Sequence, residues 1–219
     1  MWWLLPESVA WQSGKTNAQR HEARLWGQEN RTNLVVGTLV FGSVLIGLWG
    51  IFSWLPTWVQ SLLHVGQDGQ QERGITMMLL GMGGIVGGVV SGFLIKALGV
   101  RKTLIITFSG LILSCCVLFL TNAGFGKIIY VEMAVLSLFF GISQGSLSSY
   151  IPLLFPTQIR ATAAGFCFNV GRFFTATAVF FVGALVSALG GFSQALLTFS
   201  VAFLVALAAT FFNNELKPS

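Results

Sequence analysis

Residues 161–214 read ATAAGFCFNVGRFFTATAVFFVGALVSALGGFSQALLTFSVAFLVALAATFFNN, a run of 54 residues with one charge, Arg172. A helix crosses a bilayer with about 20 mostly apolar residues, so this run is too long for one span and long enough for two. Leu189-Gly190-Gly191-Phe192-Ser193 divides it, because paired glycines punctuate helical patterns. The same texture recurs toward the N-terminus. Residues 128–159 carry one charge, Glu132, and residues 103–126, 75–95 and 34–63 carry none. The pattern predicts six spans, at about 34–60, 75–98, 103–121, 128–154, 161–189 and 192–212. The segments are too long for barrel strands and lack polar/apolar alternation, so they read as helices. The predicted fold class is an all-α polytopic membrane protein.

Composition agrees. Charged residues are 9% of 219, against roughly 25% in a soluble domain, too few to cover a water-exposed surface. Disorder is excluded by the same low charge and high apolar content. The 26 glycines show no G-X-Y period, which excludes a collagen-like chain. The net charge of +5 comes from scattered Lys and Arg, a pattern of membrane-flanking loops rather than of a nucleic-acid binder. Cys115, Cys116 and Cys167 with His21 and His64 offer no metal-ligand or disulfide spacing, so neither metal nor cofactor is expected.

Residues 1–33 form a polar segment and residues 215–219 a short tail. Trp2-Trp3-Leu4-Leu5 is too short for a signal-peptide core and follows no basic residue, so the first span is expected to direct insertion itself. Basic residues set orientation. Lys15, Arg20, Arg24, Arg31, Lys96, Arg101, Lys102, Arg160 and Lys217 fall on one side, against Arg73 and Lys127 on the other. Both termini are therefore expected in the cytoplasm, with the chain in the plasma or inner membrane.

Four features could carry chemistry. Arg172 lies about ten residues into the fifth span, roughly 15 Å deep, where an arginine costs at least about 2.5 kcal/mol. It either bonds carbonyls of a broken neighbouring helix or contacts a substrate. Thr162, Gly165, Asn169 and Arg172 share one helical face. Glu132, Ser143, Ser146 and Tyr150 share another, and Glu132 is the only carboxylate in the predicted spans. It either reaches the interface or carries a proton. Pro56 interrupts the first span beside Trp49, Trp54 and Trp58, which are interfacial anchors or the wall of a cavity. Gly84, Gly88 and Gly92 stack at four-residue spacing for close helix packing. Gly141-Ile142-Ser143-Gln144-Gly145 matches the letters of a nucleophile elbow but sits inside an apolar helix with no His in a span. An enzyme is not expected.

The stretch 154–166, LFPTQIRATAAGF, with Asn169 and Gly171-Arg172, resembles the junction between the last cytoplasmic loop and the penultimate helix of major facilitator superfamily transporters. It is most similar to the sugar, organic-acid and metabolite–proton symporter branch. Leu5-Pro6-Glu7-Ser8 with Trp11 is similar to the signature that follows the sixth helix there. Gly92, Gly99, Arg101 and Lys102 resemble the second copy of the family's cytoplasmic loop motif, with Pro156, Arg160 and Gly165 in the later junction. The resemblance implies the C-terminal six-helix half of a twelve-helix carrier, residues 1–33 being the end of its central loop. It implies secondary, proton-coupled transport of a small polar solute, an organic anion or a sugar. Arg172 would contact the solute, with Asn169, Ser143, Gln144 and Trp54 as secondary contacts and Glu132 as the proton-coupling candidate. The implied partners are lipid, solute and a second six-helix bundle, either a missing N-terminal half or a second copy. The alternative is a truncated, non-transporting product or an auxiliary membrane subunit that pairs with another bundle. The chain departs from the family pattern at Leu153 and Lys96, where acidic residues are common, so Arg101 and Arg160 lack those gate partners.

Overall fold

The computed structural model describes residues 25–64 and 66–212. The Pro-Glu-Ser-like segment and the C-terminal tail lie outside these residues. Every regular element described is helical: α1 (Gln28–Phe52), α2 (Leu55–Ser61), α3 (Gln70–Leu98), α4 (Val100–Thr121), α5 (Ile128–Leu153), α6 (Arg160–Phe180), α7 (Val182–Leu189) and α8 (Phe192–Phe212). Six of the resulting units are long and apolar enough to cross a membrane, α1 and α2 counting as one.

Local chemistry explains the breaks. Pro56 is the second residue of α2. It has no N–H to return to the carbonyl four residues back, and its ring is accommodated best in a first turn. The chain tightens there, with Trp54 N–H bonded to Ile51 O at 3.1 Å. Gly190 takes φ 78° and closes α7, the left-handed end that glycine adopts without a Cβ penalty. The fifth predicted span, 161–189, is two helices. Phe181 N–H turns back to Ala178 O at 3.1 Å in a short-range bond that ends α6. Two helices begin earlier than expected. Helix α1 takes in Asn30 and Asn33, both buried, and Asn33 Nδ2 donates to Leu154 O at 2.9 Å, tying α1 to the end of α5. Helix α3 starts at Gln70 and carries Glu72 in its first turn, so Glu132 is not the only carboxylate within a spanning helix.

The α1 span is the most enclosed of the six and α3 the most open. Helix α1 packs on α6 and α8, α4 on α5 and α8, and α3 most extensively on α5. The α3–α5 contact is made by glycines, one face away from the expected one. A β-carbon on Gly87 would collide with the backbone of Leu138, Gly141 and Ile142, and one on Gly141 with the backbone of Gly84. Gly88 and Gly92 face open space. The contacting ridge is Gly83, Gly87 and Ser91, with Gly84 beside it, and it lets the two backbones approach as closely as small residues permit. The opposite face of α3 leaves Met78, Met82, Ile85, Val89 and Phe93 uncovered by the chain.

Candidate functional site

Helices α1 and α6 are drawn together by a second pair of glycines. A β-carbon on Gly171 would sit 2.8 Å from Phe41 Cδ1, closer than real β-carbons approach, and a tight 3.1 Å from Gly42 Cα. The Phe41 and Phe168 rings meet beside it at 4.5 Å between centroids. This crossing fixes the position of the next residue, Arg172.

Arg172 lines a cavity of about 770 Å³ bounded by α1, α5 and α6 and by the Ser53–Trp54 break. Its walls include Phe41, Trp49, Trp54, Phe140 and Phe180, and its polar lining is Ser53, Gln144, Arg172 and Thr175. The volume lies within the roughly 300–1,000 Å³ range of small-molecule sites, which combine apolar walls with a few placed polar groups. No carboxylate of the described residues lines it. No ion pair ties Arg172 among the described residues, and the residue is exposed. Thr175 Oγ1 is committed to Gly171 O at 2.8 Å. Gln144 Nε2 is buried and has no hydrogen-bond partner among the described residues.

The sequence-predicted residues divide by location. Trp54, Gln144 and Arg172 share the cavity. Ser143 is fully buried in the bundle and donates to Phe140 O of its own helix at 2.7 Å. Asn169 is exposed and donates to Gly165 O at 2.8 Å. Neither lines the cavity. Glu132 sits near the first turn of α5, where Asn122 Nδ2 donates to its Oε2 at 2.6 Å, and it too lies off the cavity. Trp49 and Trp54 belong to the cavity wall, whereas Trp58 is core, its Nε1 donating to Ser193 Oγ at 2.8 Å.

The motif residues at the other end of the bundle act on backbone. Gly99 joins α3 to α4 at φ 82° and ψ 157°, a region that only glycine adopts readily. Arg101 Nε donates to Thr210 O at 3.3 Å and its Nη2 to Phe211 O at 2.5 Å. It thereby caps the carbonyls at the end of α8, a favourable place for a cation. Arg160 Nε donates to Phe155 O at 3.2 Å. These carbonyls occupy the guanidinium groups that have no acidic partners in the motifs. Lys102, Pro156 and Gly92 are exposed, and Gly165 has open space where a Cβ would stand.

Sequence reasoning missed Phe41, Phe140, Thr175 and Phe180 as cavity residues. Thr175 is three residues from Arg172 and so shares its helical face, a signal that was available. The aromatics carried no such mark in a chain with 20 Phe.

A family model described as Major Facilitator Superfamily matches residues 1–176. A cis,cis-muconate transport protein of Acinetobacter baylyi is 26% identical over 85% of this chain and 46% of its own length. A probable 4-methylmuconolactone transporter of Cupriavidus pinatubonensis is 31% identical over 83% of this chain and 41% of its own. A niacin transporter of Acinetobacter baylyi is 29% identical over 84% of this chain and 41% of its own. The chain thus spans less than half the length of these relatives.

Proposed function

The chain belongs to the Major Facilitator Superfamily and is a multi-pass membrane protein, and on that premise we propose that it forms one six-helix half of a secondary carrier of small organic anions. Such carriers rock one bundle against another around a site near the membrane midplane. The observation that carries the reading is Arg172, without an ion pair among the described residues and on an aromatic-walled cavity that no described carboxylate lines. A guanidinium offers a planar fork of donors that matches a carboxylate, and the bond strengthens where water is excluded. A sugar needs many hydroxyl-reading groups, and the mostly apolar lining supplies few. The named substrates of the relatives point the same way, since muconate and niacin are carboxylates on flat, conjugated bodies. Phe41, Trp49 and Phe140 would stack on such a body.

In this reading Arg172 holds the carboxylate, a second six-helix bundle closes the cavity, and Glu132 serves proton coupling. Because Glu132 lies off the cavity lining, its effect on the solute would pass along α5. Both termini lie in the cytoplasm, in the plasma or inner membrane. The test is counterflow of labelled nicotinate in proteoliposomes, with this chain alone and with a six-helix N-terminal partner. Saturable exchange that vanishes in Arg172→Leu supports the reading, and exchange untouched by Arg172→Leu refutes the site. The second reading is a non-transporting membrane subunit. Absence of exchange under every pairing would select it.

A further inference from the structure

We infer that a groove along α1 and α6, separate from the Arg172 cavity, holds one anionic phospholipid, with its phosphate on Arg31 and one acyl chain along the groove. The groove is a cavity of about 540 Å³ that shares no lining residue with the cavity of Arg172. Its one charged lining residue is Arg31, the second residue of the spanning unit Asn30–Ser61 and so at a membrane–water boundary. No ion pair ties Arg31 among the described residues, and the residue is exposed. Trp26 stands at the same end, its ring edge-to-face on Phe166 at 5.3 Å between centroids. Tryptophan is enriched at the headgroup level of a bilayer. Beyond Arg31 the lining turns apolar, through Val35 to Ile46 and Phe174. The two hydroxyls on it are withdrawn. Ser43 Oγ donates to Leu39 O at 2.6 Å, and Thr38 Oγ1 is buried. The groove therefore has a cationic end at the boundary and an apolar length inside the membrane, which is the polarity of a lipid.

Dimensions agree. The lining runs along α1 from Arg31 to Ile46, a rise of roughly 22 Å at the helical repeat. One leaflet of the hydrocarbon core is about 15 Å deep, so an acyl chain entering at Arg31 stays within the groove for its full depth. Spread over that length, about 540 Å³ gives a mean cross-section of roughly 25 Å², against roughly 80 Å² for a helix of about 10 Å diameter. A single methylene chain fits such a width and a helix does not. Charge selects the head. A guanidinium pairs with phosphate through two parallel hydrogen bonds. No carboxylate of the described residues lines the groove, so the cation of a zwitterionic head finds no partner there. An anionic head keeps the whole attraction, and basic pockets at a membrane surface recognise such heads. The inference stands apart from the solute reading, because it uses neither Arg172 nor its cavity.

The experiment is native mass spectrometry of the full chain, which counts retained lipid. The probes are phosphatidylglycerol and phosphatidylcholine with identical acyl chains, and glycerol phosphate as the head alone. Wild type should retain one phosphatidylglycerol about five- to tenfold more strongly than phosphatidylcholine, the worth of one basic residue at a membrane surface. Arg31→Leu should lose that preference, and Arg31→Lys should keep part of it, since an ammonium retains the charge without the planar fork. Val35→Trp fills the groove from an exposed position and leaves Arg31 in place, so it should weaken retention of both lipids. Arg172→Leu should change neither. Equal retention of the two lipids by wild type, or a preference that survives Arg31→Leu, overturns the inference. Should Arg31→Leu fail to fold, full retention in Val35→Trp overturns it as well. Glycerol phosphate held as strongly as phosphatidylglycerol would make Arg31 a free-anion site. Lipid displaced by a co-purified six-helix partner would give the groove to that partner. Either result overturns the lipid assignment, and both leave the organic-anion reading at Arg172 untouched.

Discussion

A guanidinium inside an apolar helix persists where its insertion cost, at least about 2.5 kcal/mol, is offset by something it does. Arg172 has no carbonyl or carboxylate partner among the described residues and faces a cavity, so removing it should not harm the bundle. Arg172→Leu should insert normally and raise thermal stability slightly, while weakening carboxylate binding roughly 10- to 100-fold, the worth of a charge-assisted hydrogen bond. Arg172→Lys should bind with intermediate affinity, because an ammonium keeps the charge and loses the planar fork. Loss of folded protein in Arg172→Leu, read by size-exclusion profile and melting temperature, would assign the residue to structure. The depth of Arg172 was legible in the sequence, since counting from the span's start locates it. Its freedom from a partner was not, because that depends on which helix stands opposite. The same limit applies to Ser143 and Asn169. Their helical faces were readable, but their hydroxyl and amide bond back to their own helices, a local competition that serine and asparagine commonly enter.

Glycines decide how the elements fit, and their effects separate cleanly by neighbour. Gly87 and Gly88 are adjacent on α3, yet only Gly87 meets the α5 backbone. Gly87→Ala should cost about 1–3 kcal/mol, the usual penalty of overpacking, since backbone cannot move aside as a side chain can. Gly88→Ala should be neutral or stabilising by up to about 1 kcal/mol, because alanine is the better helix former. A melting series in one detergent checks both, and equal effects at the two positions would contradict the packing. Helix existence was legible from the uncharged runs, and the Gly190-Gly191 and Pro56 breaks from turn chemistry. The contacting face of α3 was not. Gly83, Gly84, Gly87, Gly88 and Gly92 offer two candidate ridges, and the choice between them is made by Gly141 on another helix. The break at Phe181 carries no Gly or Pro and so gave no signal. Arg101 adds a tether at this scale. Arg101→Ala removes two bonds to the end of α8, and amide exchange at residues 210–212 should quicken while the centre of α8 is unchanged.

At the scale of the molecule, six crossings would put the two chain ends on one side, and the nine-to-two split of basic loop and end residues is the basis for proposing that this side is the cytoplasm. Reporters fused after Ser13 and after Pro218 should both read cytoplasmic, and one inserted at residues 67–71 should read external. Opposite locations for the two ends would remove an even number of crossings. The cavity is open on one side. The cavity wall is contributed by α1, α5 and α6, and Arg172 on it is exposed. Unsatisfied polar groups facing hydrocarbon cost several kcal/mol. A partner surface or water must therefore meet Arg172, and lipid is the least favourable neighbour. The chain purified alone should pair with a second bundle or lose stability. Self-pairing about an axis along the membrane normal is allowed, since the halves of this fold are related by such an axis. It would bring two Arg172 side chains toward one cavity, a repulsion that an added organic anion relieves. The expected outcome is a dimer whose melting temperature rises with millimolar nicotinate in the wild type and not in Arg172→Leu. A stable monomer with saturable uptake would refute the need for a second bundle.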